Sequence, residues 1–201
     1  MTLNFNPQAE YTLENERVLL SPLKETDLEF LLPFALKEPD TWKYSYLNAR
    51  GEDGMRAYIA DALNNKAKGN EYPFIVFDKQ KGEYAGSTRF YDIQRIYQTV
   101  QLGYTWYGEK FRGTGVNKHC KFLLLQFAFE IVDAERVEFR ADARNERSIA
   151  AMKSIGCTPE GILRNNMPLT DGGRRDSIVL SILKEEWQGG TKDALIGKLV
   201  G

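Results

Sequence analysis

The chain has 201 residues, with 27 Lys and Arg against 28 Asp and Glu and a formal net charge of −1. This length suits one domain, and a chain of this size buries roughly 70% of the surface that its unfolded form exposes. Hydrophobic residues make up 42% of the chain, which excludes a disordered protein, and the balanced charge argues against nucleic-acid binding through bulk charge. No apolar run approaches the ~20 residues that a membrane-spanning helix requires.

The cysteines and the first residues indicate where the protein resides. Cys120 and Cys157 stand alone, as is typical of a reducing compartment, and the N-terminal segment lacks the features of a signal peptide. We therefore expect a cytoplasmic protein, either a monomer or a homodimer, with no membrane or nucleic-acid partner. The single histidine, His119, excludes a multi-histidine metal site, and no metal is expected.

Periodicity predicts one domain over residues 10–188, with short tails at 1–9 and 189–201. The predicted element order is β-α-α-β-β-β-α-β-α-β-β. The strands are expected at 17–23, 72–78, 84–94, 99–107, 137–141, 158–166 and 174–183, and the helices at about 27–39, 52–66, 116–131 and 145–155. The three consecutive strands predict an antiparallel meander. We expect a mixed α/β fold in which helices cover both faces of a mostly antiparallel sheet.

A glycine-containing loop precedes the helix at 116 and reads Arg112-Gly113-Thr114-Gly115-Val116-Asn117-Lys118. Backbone N–H groups at such a helix start can converge on one anion, and Arg112 and Lys118 add positive charge. Phosphate or pyrophosphate is the natural ligand, although a turn that simply requires glycine explains the loop equally well. The loop lacks the lysine and hydroxyl of a P-loop, and the preceding meander argues against a Rossmann unit.

A second segment opens the next helix with Asn145-Glu146-Arg147-Ser148. A structural role explains it by itself, because asparagine is a good helix N-cap and Ser148 would then have no further duty. The two segments are more specific together than either is alone.

The paired segments resemble the GNAT family of acetyl-CoA-dependent N-acetyltransferases, closest to its RimJ/RimL-like branch, and the resemblance covers about residues 15–186. It implies a GNAT-like fold with acetyl-CoA as cosubstrate. It also implies that the loop amides hold the CoA pyrophosphate, that strand residues Thr105, Trp106 and Tyr107 meet the pantetheine arm and the thioester, and that Asn145 bonds this arm. Ser148 matches a residue near the CoA sulfur.

Two positions depart from the family pattern. Asn117 stands where the family has a small residue, and Met167 stands where some relatives carry a carboxylate base.

Direct attack of an amine on a thioester needs a neutral amine, a stabilised oxyanion and a proton for the departing thiolate. Ser148 is the candidate acid, with Tyr107 as a substitute. Glu138 and Glu109 are candidate bases, although ordinary surface charge explains each of them. Cys120 lies on an apolar helix stripe and is expected in the core, whereas its neighbour His119 is expected to face solvent.

The sequence leaves two interpretations of the residues that would bind the acceptor. Trp42, Tyr44 and Tyr46 could wall an amine pocket with Trp106 and Tyr107, or they could cover a core edge. Two acidic residues in this connection, Glu38 and Asp40, would attract a cationic amine, whereas the Arg174-Arg175 pair would recognise an acidic group. The predicted function is acetyl transfer to a primary amine, either a protein N-terminus or a small molecule. The alternative is a non-catalytic acyl-CoA-binding or regulatory module.

Overall fold

A computed structural model describes residues 2–45, 47–169 and 172–199 of the chain. The strands are β1 (Leu13–Glu14), β2 (Val18–Pro22), β3 (Tyr72–Asp78), β4 (Glu83–Gln94), β5 (Thr99–Tyr107), β6 (Arg136–Asp142), β7 (Thr158–Pro168) and β8 (Arg174–Leu183). The α-helices are α1 (Leu28–Lys37), α2 (Gly51–Ala67), α3 (Val116–Gln126), α4 (Glu146–Ser154), α5 (Lys184–Glu186) and α6 (Lys192–Gly197). Short 3-10 turns lie at Glu25–Asp27, Pro39–Trp42 and Glu109–Phe111, and π-helical turns at Phe127–Ile131 and Trp187–Thr191.

The strands form one mixed sheet in the order β1-β2-β3-β4-β5-β6-β8-β7. β5 and β6 pair in parallel, and the other neighbouring strands pair antiparallel. The predicted mixed α/β fold with its mostly antiparallel sheet is confirmed, and so is the meander of β3, β4 and β5. The parallel pair arises because α3 carries the chain from the end of β5 back to the start of β6.

The parallel pair separates along its length. Only Thr99–Gln101 of β5 pair with β6, at Arg136–Glu138. Beyond them, the pairing of β5 with β4 shifts register between Ser87 and Arg89, and Tyr104 has a φ of +50°. Such a bulge bends its strand and increases the local twist. The later halves of β5 and β6 therefore diverge, and a gap opens between them.

Alternate side chains of the sheet meet different helices. On one face, Tyr58 of α2 contacts Trp106 and Arg89. On the other face, Lys121 of α3 contacts Thr105, as the two-residue periodicity of a strand requires. Helices cover both faces of the sheet, as expected, and the gap between β5 and β6 connects the two faces.

Packing extends into the segments predicted as tails. Leu3 and Phe5 are buried in the core, and Leu195 of α6 is buried at the other end of the chain. The predicted helix at 116–131 changes to a π-helical turn at Phe127–Ile131. The short β1, α5 and α6 have too few residues for a periodic pattern, and the sequence analysis does not include them.

Candidate functional site

A cavity of about 1000 Å³ occupies the gap between β5 and β6. It reaches both faces of the sheet, because Tyr58 of α2 and Lys121 of α3 both line it. The helix starts of α3 and α4 lie at its rim, and so does the connection around residues 40–47. Most of the site residues predicted from the sequence are therefore brought together around one space.

The loop before α3 presents an unusual set of free donors. None of the backbone N–H groups of residues 113–117 donates a hydrogen bond to another residue in the described part of the chain. Gly115 caps α3 with a φ of +90°, and Gly113 has a φ of +75°, both in the left-handed region that favours glycine. The positive end of the α3 dipole adds to these donors. The loop has the geometry of an anion site.

The side chains of this loop have different environments. Val116 packs in the core, and the Thr114 hydroxyl donates to the Phe111 carbonyl at 2.7 Å. These two residues can therefore contribute only backbone groups to an anion. Asn117 and Lys118 line the cavity with their side chains.

Arg112 lines the cavity, and two of its guanidinium nitrogens bond other parts of the protein. Its Nε donates to the carbonyl of Tyr107 at 3.0 Å, and Nη2 donates to Thr41 Oγ1 at 2.7 Å. Glu38 and Glu109 lie 4.0 and 3.8 Å from the guanidinium. Arg112 thus links the Pro39–Trp42 turn to the end of β5, because Nε bonds the Tyr107 carbonyl and Nη2 bonds the Thr41 hydroxyl.

Asn145 and Ser148 meet at the start of α4. Asn145 Oδ1 accepts a hydrogen bond from the Ser148 backbone N–H at 3.1 Å, which is an N-cap. The cap leaves the Asn145 side-chain amide and the Ser148 hydroxyl without a hydrogen bond to other described residues, and both residues line the cavity. The helix cap therefore uses Asn145 Oδ1 and the Ser148 backbone N–H, whereas a ligand would be bound by the Asn145 side-chain amide and the Ser148 hydroxyl.

The predicted site residues Thr105 and Trp106 of β5 lie on opposite faces of the sheet. Thr105 Oγ1 lies 2.7 Å from both Thr88 Oγ1 and Lys121 Nζ. Trp106 is buried on the other face, and its Nε1 donates to the Tyr58 hydroxyl at 3.3 Å.

Tyr107 and Cys120 lie side by side in the interior. Burial raises the pKa of Tyr107 well above 10, and its hydroxyl, beside the Cys120 thiol, forms no hydrogen bond of ordinary geometry with a described residue. Burial also raises the pKa of Cys120 to about 12. Cys120 is buried in the core, as expected, and it is not an activated nucleophile.

Neither predicted base faces the cavity. The two carboxylate oxygens of Glu138 accept from Arg136 at 2.9 Å and from Arg140 at 2.7 Å, and Glu138 is not among the residues that line the cavity. Glu109 also lies outside the lining, with its carboxylate near Arg112. The arginines occupy the atoms that a base would use, so the geometry gives no support to either assignment.

His119 is buried rather than solvated, and the expectation from the sequence is wrong here. Its ring Nδ1 lies 3.1 Å from Asn15 Nδ2 and 3.4 Å from a Glu16 carboxylate oxygen. Burial lowers the pKa of His119, and the ring does not line the cavity. The N-terminal residues that cover it are distant in sequence, so helix periodicity alone could not reveal this burial.

Lys121 is the site residue that the sequence analysis missed. Its side chain is 5% exposed and lines the cavity, and Nζ donates to Thr105 Oγ1 at 2.7 Å. No carboxylate oxygen of a described residue lies within 4.0 Å of Nζ, and burial lowers the pKa of Lys121 to about 8. The sequence did contain a signal of this burial. Apolar residues occupy nearly every position from 120 to 129, and a helix that is apolar on all sides is buried, so Lys121 within it is expected to be buried too.

The aromatic connection near residue 42 provides both packing and cavity wall. Trp42 is 3% exposed, and its ring centroid lies 4.8 Å from that of Trp106, yet it also lines the cavity. Tyr44 lines the cavity beside Lys43, whose Nζ is 5.5 Å from the Tyr44 ring. Tyr46 lies outside the described residues. Pocket wall and core cover were alternatives in the sequence, whereas the Trp42 side chain is buried in the core and also lines the cavity.

Of the charged residues that the sequence suggests for acceptor binding, some line the cavity and others do not. Asp40 lines the cavity, whereas a Glu38 carboxylate oxygen accepts from the Glu109 backbone N–H at 2.8 Å. Arg175 is buried and lines the cavity, whereas Arg174 is exposed and donates to the Asn165 carbonyl.

Neither a metal site nor a membrane-spanning helix is found among the described residues. No group of three or more His, Cys, Asp and Glu in residues 2–45, 47–169 and 172–199 could hold a metal ion. In the same ranges, no helix has the length and apolar character needed to cross a membrane.

Comparison with known proteins identifies the family. A family model described as an acetyltransferase (GNAT) domain matches residues 17–158. The chain is 30% identical over 180 residues to a Bacillus subtilis (strain 168) protein named "Putative ribosomal N-acetyltransferase YdaF", and the match covers 87% of this chain and 96% of that one. A T. thermophilus crystal structure described as a "putative acetyltransferase" superposes with a TM-score of 0.84 at 33% identity, over 94% of this chain and 96% of that chain.

Mycobacterium smegmatis RimJ, solved in complex with CoA-disulfide, has the same fold, with a TM-score of 0.78 at 19% identity over 98% of this chain and 97% of that one. The relatives named as a ribosomal N-acetyltransferase and as RimJ agree with the predicted RimJ/RimL-like branch. The family model and the 30% identical relative together carry the assignment. The chain belongs to the GNAT family of acetyltransferases and is an acetyl-transferring enzyme.

Proposed function

We propose that this enzyme transfers an acetyl group from acetyl-CoA to a primary amine, and that the reaction takes place in the gap between β5 and β6. The observation that carries the proposal is the row of unpaired backbone N–H groups at residues 113–117, at the rim of a cavity of about 1000 Å³. Such donors at a helix start suit the pyrophosphate of CoA.

The neighbouring strand fits the rest of the cosubstrate. Beyond Gln101, the edge of β5 that faces β6 has no strand partner in the described part of the chain. Its backbone groups can bond the amides of a pantetheine arm in the way that a further strand would. The Asn145 side-chain amide, which the helix cap leaves free, is a further donor at the same wall.

Acetyl-CoA, when bound, supplies an acetyl group on a thioester. Backbone N–H groups on the open edge of β5 stabilise negative charge on an oxygen that lies beside them. The Ser148 hydroxyl, which lines the cavity, can donate a proton to a sulfur leaving group. Trp42 and Tyr44 also line the cavity, and we assign the acceptor to their part of it.

The acceptor we propose is the N-terminal amine of a protein, and a small primary amine is the second candidate. The similarity to a relative named for ribosomal N-acetylation supports the first choice. The size of the cavity and its opening on both faces of the sheet are compatible with an extended peptide end.

Release of free thiol from acetyl-CoA tests the proposed function. The enzyme is assayed with a peptide that has a free N-terminus, with the same peptide blocked at its N-terminus, and with a small primary amine. Acceptor-dependent thiol release, with the acetylated amine identified by mass spectrometry, is expected for the free peptide and not for the blocked one. Thiol release that is equal with and without every acceptor would contradict the proposal.

A further inference from the structure

Arg175 is a buried cation with an incomplete set of partners. It lies on β8 beside the gap, is 9% exposed, and lines the cavity. Its Nε donates to the Ser177 hydroxyl at 2.9 Å, and Ser177 is fully buried. Among the described residues, no carboxylate oxygen lies within 4.0 Å of its guanidinium. The two terminal nitrogens therefore lack an anionic partner within that part of the chain.

The charged groups around Arg175 are already engaged. Asp142 contributes negative charge at Arg175, but Arg144 binds both oxygens of its carboxylate, at 2.9 and 2.7 Å. Arg140 donates to Glu138. The remaining titratable neighbours are the phenols of Tyr91 and Tyr104, whose pKa values burial raises, so both stay neutral near pH 7.

Arg89 is also buried, but it has carboxylate partners. Arg89 is fully buried and donates to Glu71 at 2.5 Å and to Asp61 at 3.2 Å. A buried guanidinium without such a partner carries a desolvation cost that an anion can offset. Consistent with this difference, burial lowers the pKa of Arg175, whereas the pKa of Arg89 is raised in spite of its burial, through Tyr58 and Glu71.

The position of Arg175 assigns it to the acceptor rather than to the cosubstrate. Tyr91 packs against Tyr104, and Tyr104 packs against Arg89, which contacts Tyr58 of α2. Trp42 belongs to the same face through its contact with Trp106. The amides of residues 113–117 lie instead at the start of α3, which covers the opposite face. An anion bound by Arg175 is therefore separate from the phosphates of CoA.

We propose that Arg175 binds a carboxylate of the acceptor, so that the enzyme prefers primary amines that carry an acidic group close to the amine. This inference rests on the proposed function and specifies its substrate class. The planar guanidinium presents two parallel N–H donors, a geometry that matches a carboxylate. The carboxylate can belong to a small amino acid or to an acidic side chain next to a peptide N-terminus.

Matched acceptors test the proposal and distinguish these two sources. One pair is a peptide beginning Ser-Asp and the same peptide beginning Ser-Asn, and the other is a free amino acid and its carboxamide. We expect kcat/KM to be at least tenfold higher for the acidic member of at least one pair, mainly through a lower KM. The pair that shows the preference identifies the source of the carboxylate.

Two neighbouring arginine variants locate the effect. Arg175→Gln should lower kcat/KM for the acidic acceptor to that of its neutral counterpart, and Arg175→Lys should retain part of the preference. Arg174→Gln is the matched control, because Arg174 is exposed and donates to the Asn165 carbonyl outside the cavity. It should keep the full preference. Thermal melts confirm that each variant is folded.

Equal kcat/KM for acidic and neutral acceptors in the wild type, or an unchanged preference in Arg175→Gln, would overturn the inference. Failure of the proposed function has a different signature, namely no acceptor-dependent thiol release with any acceptor. In that event, calorimetric binding of the acetylated Ser-Asp and Ser-Asn peptides reports on Arg175 without turnover. Equal affinities within this pair, and likewise within the pair of the acetylated amino acid and its carboxamide, would again overturn the inference.

Discussion

The ammonium of Lys121 donates to the Thr105 hydroxyl at 2.7 Å, in the interior of the cavity where β5 and β6 separate. The ring of Phe139 on β6 lies on the other side, 5.6 Å from Nζ. This cation stands between the two diverging strands without a carboxylate of a described residue within 4.0 Å. Lys121 is buried, and this burial lowers its pKa to about 8.

Lys121→Met should stabilise the protein at pH 7, because methionine fills a similar volume without a buried charge. The stability difference should be constant below about pH 8 and should shrink between pH 8 and 10. The reason is that the unfolded lysine, with a pKa of about 10.4, then binds more protons than the folded one, so wild-type stability rises with pH. Thermal melts of both proteins across this range measure the difference, and a difference independent of pH would contradict the low pKa.

Ser148→Ala should lower kcat by ~10²-fold, with little change in the KM for acetyl-CoA, if the hydroxyl donates the proton to the departing thiolate. The melting temperature should stay nearly the same, because the helix cap uses the Ser148 backbone N–H and not the hydroxyl. Steady-state kinetics with a saturating acceptor decide the question. A variant with the wild-type kcat would show that the Ser148 hydroxyl does not donate the proton and that the residue has only a structural role in α4.

Asn145 has two roles that two substitutions can separate. Asn145→Ala removes both the cap and the free amide, so it should cost about 1 kcal/mol of stability and also weaken CoA binding. Asn145→Asp keeps the capping oxygen but loses the N–H donors. It should therefore melt like the wild type while binding CoA more weakly. Wild-type CoA affinity in Asn145→Asp would show that the amide does not bind the cosubstrate.

Trp42→Ala should cost ~3–5 kcal/mol of stability, because the side chain is buried against Trp106 and Tyr58. It should also raise the KM for the acceptor in the folded fraction, since Trp42 lines the cavity. Trp42→Phe is the milder control, because the indole N–H that it removes has no hydrogen-bond partner among the described residues. Denaturant melts and two-substrate kinetics measure both effects, and an unchanged acceptor KM would restrict Trp42 to packing.

The parts of the site that follow local rules were predictable from the sequence. Helical spacing placed Val116 and Cys120 in the core, and the glycines of the loop indicated a turn that places backbone N–H groups at the start of α3. The cap by Asn145 followed from residue preference at helix starts.

The remaining features depend on tertiary contacts that no local pattern encodes. The bulge at Tyr104 opens the gap, yet the sequence there predicts a regular strand. Lys121 lines the cavity in that gap, and His119 contacts Asn15 and Glu16, which are distant in the sequence. Arg112 lines the cavity, but its bonds to the Tyr107 carbonyl and to Thr41 join segments that are distant in the sequence, so no local pattern predicts them.

Calorimetric titration with CoA, ATP and NAD is the most direct test of the proposed binding site. Gly115→Ala and Gly82→Ala are matched, because both glycines have a positive φ, +90° and +66°, and no atom within about 3.8 Å of an added Cβ. Each variant incurs similar backbone strain, of ~1–2 kcal/mol, but only Gly115 lies in the loop before α3. We predict that the wild type binds CoA more tightly than ATP or NAD, and that Gly115→Ala weakens CoA binding at least tenfold, or about 1.4 kcal/mol. Gly82→Ala should bind CoA as the wild type does, whereas wild-type affinity in a folded Gly115→Ala, or a preference for ATP or NAD over CoA, would contradict the account.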